Sequence, residues 1–139
     1  MSLDGEGAET QAEPTPFAMM GGMDMIGPLV DRFYDLMDGD PAYAALRAMH
    51  AEDLGPMRAS LKGFLAGWLG GPRDWFVERR GACIMSLHRA LPLTERTERE
   101  WLGAMTRALD EAGLAPEMDL FVRGAFARMA RQMRAGAGA

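Results

Sequence analysis

Residues 26–37 decide most about what this chain can become. Ile26, Leu29, Val30, Phe33, Tyr34 and Met37 fall at i, i+3, i+4, i+7, i+8 and i+11. That spacing gathers these six side chains on one stripe of an α-helix, whereas a strand would scatter them over both faces. A helix with such a stripe must bury it against other helices or a sheet. No segment shows the period-two pattern of β-branched and aromatic residues that a sheet needs. Its partners are therefore expected to be helices.

The same reading extends down the chain. Asp40-Pro41 joins an N-cap to a proline at the first helical position, so a short helix is expected over 42–49. Met57, Leu61, Phe64, Leu65 and Trp68 form another stripe, which Gly70-Gly71-Pro72 stops. Residues 75–88 are ambiguous at their start and apolar at their end. Thr94 caps a strong helix with Glu95 in its first turn; Trp101, Leu102, Met105 and Leu109 line one face, and Gly113 ends it. Pro116 opens a last helix, whose inner face is expected to hold Leu120, Phe121, Phe126, Met129 and Met133. The chain reads as one all-α domain over residues 17–135, with about six helices, two of them short. Residues 1–16, rich in Gly, Glu, Ala, Pro and Thr, are expected to form a disordered tail, and 136–139 a frayed end.

Composition removes several function classes. A net charge of −5, dispersed arginines and Lys62 as the single lysine leave no basic stripe for nucleic acid. One cysteine, Cys83, cannot form an internal disulfide and suits a reducing compartment; its plain reading is a small buried apolar residue. No run approaches the ~18 apolar residues of a membrane span. The opening residues are acidic and carry no basic group, unlike a signal peptide, so a cytoplasmic location is expected. There is no zinc-spaced Cys/His cluster, no HExxH, no phosphate-cradling glycine loop and no GxSxG. Residues 95–100 alternate acidic groups with arginines and read as a solvated helix face.

Four residues remain with chemistry to offer: His88, His50, Tyr34 and Trp101. Each alone has a plain structural reading as packing or a surface group. Together they match the needs of a heme pocket: an apolar slot between helices, a neutral imidazole on one side and polar donors on the other. Facing helices can build such a slot. The stripe from Met57 to Trp68 would form one wall, and the segment ending at His88 the opposite one.

At this point the sequence resembles the truncated hemoglobins of the second group, globin-like proteins with a two-over-two helical sandwich around heme. The resemblance rests on Leu29-Val30-Asp31-Arg32-Phe33-Tyr34-Asp35-Leu36-Met37 and Leu46-Arg47-Ala48-Met49-His50-Ala51-Glu52-Asp53-Leu54. It continues through Phe64-Leu65-Ala66-Gly67-Trp68-Leu69-Gly70-Gly71-Pro72 and through His88, followed thirteen residues later by Trp101. It implies heme b (iron protoporphyrin IX) as cofactor, with His88 as the ligand to iron. Tyr34 and Trp101 would donate hydrogen bonds to a bound diatomic ligand, with His50 joining them and Met57 standing where many globins place a polar gate. Leu61, Phe64, Leu65 and Ile84 would be apolar heme contacts. Oxygen or nitric oxide would be the ligand, and dioxygenase- or peroxidase-like redox chemistry its use, with a reductase as a partner. A monomer or homodimer is compatible with this, and neither nucleic acid nor membrane is implied.

One block departs from that pattern. Relatives carry basic residues just before the histidine, where this chain has Met85 and Leu87. Arg79, Arg80, Arg89 or Lys62 would then have to pair with the heme propionates. The rival reading is a globin-like helical module without heme that serves interaction or sensing. The altered block speaks for the rival; joint retention of His88, Tyr34 and Trp101 speaks against it.

Overall fold

The computed structural model describes residues 15–78 and 93–136. They form α1 (Pro16–Met20), α2 (Met23–Gly39), a 3-10 turn (Pro41–Tyr43), α3 (Ala44–Ala48), α4 (Gly55–Trp68), α5 (Asp74–Glu78), α6 (Glu95–Ala112) and α7 (Pro116–Gly136). No strand occurs among the described residues.

Every member of the 26–37 stripe is buried, as its spacing requires. α2 lies between α4 and α6, and α6 carries α7, so the helices group as two pairs joined through α2 and α6. Phe33 is fully buried at that junction, with its ring centroid 4.9 Å from Tyr34 and 5.5 Å from Trp101. Burial of such a side chain contributes about 1.5–3 kcal/mol. Outside, the Arg58 guanidinium donates to Asp31 at 3.1 Å and Asp35 at 2.7 Å, and Lys62 donates to Asp31 at 3.0 Å. These half-exposed pairs strap α4 to α2 at roughly 0–1 kcal/mol each.

The expected helix ends hold. At the start of α6, the Thr97 N–H donates to Thr94 Oγ1 at 3.2 Å and the Thr94 N–H to Thr97 Oγ1 at 2.9 Å, a reciprocal cap. Gly113 closes the same helix in the left-handed region, with φ of 73°, where a Cβ would be strained. α4 ends where the Gly71 N–H donates back to the Ala66 carbonyl at 2.7 Å. Near that end Gly67 lets α5 approach: a Cβ there would sit 2.5 Å from the Phe76 ring.

Two expectations change. α1 was not foreseen: Thr15 caps it through the Ala18 N–H, and the Phe17 N–H donates to the Leu69 carbonyl at 2.9 Å, pinning it to the end of α4. On α7 the inner face is Met118, Val122, Ala125, Phe126, Met129 and Ala130, with Met133 partly buried. Leu120 is 75% exposed and Phe121 46%, so both leave the expected inner face. The buried set repeats at i, i+4, i+7, i+8 and i+11, and those two side chains lie off that stripe.

Candidate functional site

A cavity of about 420 Å³ opens between α2, the 46–51 region, α4, α5, α6 and α7. Tyr34, His50, Met57, Leu61, Phe64 and Trp101 all line it, so residues far apart in sequence converge as expected. Leu65 does not reach it and is fully buried in the neighbouring core. His88 and Ile84 lie outside the described residues, as do Cys83, Met85, Leu87, Arg79, Arg80 and Arg89.

Tyr34 comes from the stripe of α2 and is 3% exposed. Its ring meets His50 edge-on at 6.0 Å, and the Arg58 guanidinium sits 5.7 Å from its centroid. Burial pushes the phenol up to about 12, against the opposing charge of Arg58, so it is a neutral donor across the ordinary pH range. No group among the described residues accepts its proton. Trp101 enters from α6, packed edge-on against Phe33 and Phe126, and its indole N–H likewise has no acceptor among them. A buried donor left without an acceptor costs about 1–3 kcal/mol. Tyr34 is buried and Trp101 partly buried, and both line the same cavity.

His50 is held differently. Its Nδ1 lies 2.9 Å from the Leu46 carbonyl oxygen. A carbonyl only accepts, so Nδ1 carries the proton. Arg47 fixes the turn that follows: its guanidinium donates to Asp38 at 2.8 Å and to the Ala51 and Glu52 carbonyls at 2.9 Å each.

The remaining walls are apolar or thioether. Leu61 and Phe64 line the α4 side, and Met49, Met57, Met129 and Met133 add soft, adaptable surface. Trp68, expected in this wall, instead stacks between Phe64 at 6.0 Å and Phe126 at 5.7 Å, bridging α4 to α7. Trp75 closes the α5 side, its indole N–H donating to Ser60 Oγ at 2.9 Å.

Charged residues in and beside the site escaped the sequence reading. Glu100, expected on a solvated face, is 8% exposed and accepts the Leu46 N–H at 2.9 Å. Burial alone would raise its carboxyl, but the Leu46 N–H and Arg96 more than offset this and hold it below the ordinary value. The missed signal was its phase: residues 97, 100, 104 and 108 share the buried stripe of α6. Arg134 lines the cavity near its rim, paired with Glu98. Lys62, one of the expected propionate partners, is engaged by Asp31 and does not line the cavity.

Comparison with known proteins agrees with this architecture. A family model described as bacterial-like globin matches residues 15–135. The group 2 truncated hemoglobin YjbI of Bacillus subtilis is 30% identical over 112 residues, covering 81% of this chain and 83% of that protein. Among solved structures, the group II 2-on-2 hemoglobin of Agrobacterium tumefaciens superposes with a TM-score of 0.81 at 31% identity, covering 87% of this chain and 94% of that one. The hemoglobin of Chloroflexus aurantiacus gives a TM-score of 0.78 at 32% identity, covering 87% and 98% respectively. The paired helices described above are thus the truncated two-over-two globin arrangement. The chain belongs to the bacterial-like globin family, and heme-based ligand binding comes with that membership.

Proposed function

We propose that this chain binds heme b in the cavity, with His88 as the iron ligand, and holds oxygen or another diatomic ligand against Tyr34, Trp101 and His50. The observation that carries this reading is the pair of donors, Tyr34 and Trp101, on one apolar cavity with no acceptor among the described residues. The fit to the cofactor is chemical. A porphyrin face wants apolar contacts of the kind Leu61, Phe64, Met129 and Met133 offer. When bound, heme supplies an iron centre at which a diatomic ligand gains electron density. The residues do the rest: the neutral Tyr34 phenol and the Trp101 indole donate toward the ligand, and His50 packs edge-on against the tyrosine. Hydrogen bonds to an acceptor bearing charge contribute about 1.5–3 kcal/mol each. A site with two or three of them retains its ligand, which favours redox use, such as oxygen-dependent removal of nitric oxide or peroxidase-like turnover supplied by a reductase, over transport.

A heme-free interaction or sensory module is the second reading. It draws on the engagement of Arg134 by Glu98 and of Lys62 by Asp31, which leaves neither cation uncommitted for a propionate. One measurement separates the two. Purified protein supplied with heme should develop a Soret band, and His88→Ala should lose it while circular dichroism stays helical. A well-folded, colourless protein that refuses heme would end the first reading in favour of the second.

A further inference from the structure

α3 is five residues long, well below the length at which a helix persists in water, and no side chain within its own segment caps it. Its first turn instead finds an acceptor 54 residues away, where Glu100 Oε1 accepts the Leu46 N–H at 2.9 Å. The Ala45 N–H faces the same carboxylate, and Arg96 holds the other oxygen at 2.8 Å. Leu46 is also the residue whose carbonyl accepts the His50 Nδ1 proton. One residue, Leu46, therefore joins a buried carboxylate on α6 to the imidazole at the cavity, its N–H held by the first and its carbonyl facing the second. A charged acceptor that anchors the Leu46 N–H fixes the backbone at this residue, and with it where the Leu46 carbonyl points.

We propose that Glu100 is a positioning residue for His50, holding the Leu46 backbone so that its carbonyl keeps the imidazole proton on Nδ1 and the ring edge-on to Tyr34. The geometry gives α6 two tasks. It sends Trp101 into the cavity directly, and through the adjacent Glu100 it sets the orientation of a second cavity residue. Neither group touches the cofactor in this scheme, and Glu100 takes no part in chemistry. The consequence for bound ligand rests on the cavity being the heme site; the imidazole's orientation does not.

The test uses the full chain with Glu100→Leu, Glu100→Gln, Glu100→Asp and His50→Phe. Nitrogen-15 spectra of the imidazoles, assigned by the signals lost in His50→Phe, read the position of the proton with and without heme. Wild type should show Nδ1 protonated. Glu100→Leu should populate the Nε2-protonated form, whereas Glu100→Gln, which keeps an acceptor oxygen, should stay near wild type. Should the leucine variant fail to fold, Glu100→Asp, which retracts the acceptor by one methylene, should move the spectrum in the same direction. A folded Glu100→Leu, or in its place Glu100→Asp, with His50 protonated as in wild type overturns the proposal.

In heme-loaded protein, Glu100→Leu should change the oxygen release rate by about two- to tenfold, the range of one neutral hydrogen bond. That change should vanish in a His50→Phe background. An equal change in both backgrounds, or none in either, overturns the link to the ligand. A chain that takes up no heme defeats the functional reading while the imidazole spectra still decide the role of Glu100.

Discussion

Two stretches bring polar groups to the cavity, and they are built on opposite principles. α2 is 17 residues long, and its own apolar stripe seats Tyr34 against Phe33. Residues 40–53 contain a three-residue 3-10 turn and a five-residue helix, and are held by groups supplied from elsewhere. Arg107 on α6 donates to Asp40 at 2.6 Å and to the Tyr43 hydroxyl at 3.2 Å. Glu100 takes the Leu46 N–H, and Asp38 takes Arg47. The contrast extends to the groups delivered. The wall held by apolar packing leaves its hydroxyl open, and the polar-tied segment has its imidazole fixed at Nδ1. A donor can stay open to a ligand where apolar packing, with ion pairs on the outer face, holds its backbone. A short segment needs hydrogen bonds to hold its shape, and its functional group shares them.

That contrast can be broken from the α2 side first. Phe33→Ala removes the ring between Tyr34 and Trp101 and should cost about 3–5 kcal/mol in urea unfolding. A loss below about 1 kcal/mol would mean that the wall does not depend on this junction. Tyr34→Phe removes a buried hydroxyl that no described residue accepts, so the heme-free protein should lose no stability and gain up to about 1–3 kcal/mol. Oxygen release from the heme-loaded variant should nevertheless quicken by about 10- to 150-fold, the equivalent of 1.5–3 kcal/mol. Unchanged or slower release would contradict the donor role.

Acid should cut the other stretch. Glu100 and Asp40 are both held below their ordinary values, 4.5 and 3.8: for Glu100 the Leu46 N–H and Arg96 outweigh burial, and for Asp40 the Ala42 N–H and Arg107 act together. A depressed native value means that the carboxylate's contribution is present above the ordinary value and lost as pH falls through the lower one. Amide hydrogen exchange at residues 44–50 should therefore quicken in that window while the core of α2 stays protected, and Glu100→Gln should flatten the dependence. Simultaneous loss of both stretches would show that they form one cooperative unit. The smallest effect belongs to Arg107→Ala, a partly exposed tie expected to cost about 0–1 kcal/mol in the same unfolding measurement.

Much of this molecule could be read from local rules. The stripe of residues 26–37, the cap at Thr94 and the stops at Gly70-Gly71 and Gly113 depend on side chains within a turn or two, and each stands where expected. Tyr34 and Trp101 inherit their places from such helices. The apolar run near the start of α7 was read on the wrong face, because Met118 and Val122 define the buried one and Leu120 and Phe121 another. Packing against α6 chose the first. The phase of Glu100 on α6 was a local signal, but what it and Arg134 pair with was beyond local reading. Their partners lie 54 and 36 residues away, and a charged side chain looks solvent-bound until the fold supplies the group that justifies its burial. The sequence by itself determined the helices and which of their faces carry the cavity's donors, since periodicity and caps are local energies. Only the tertiary structure decided how the short distal segment and its imidazole are held, because a long-range hydrogen bond has no value until the chain has already brought its two ends together.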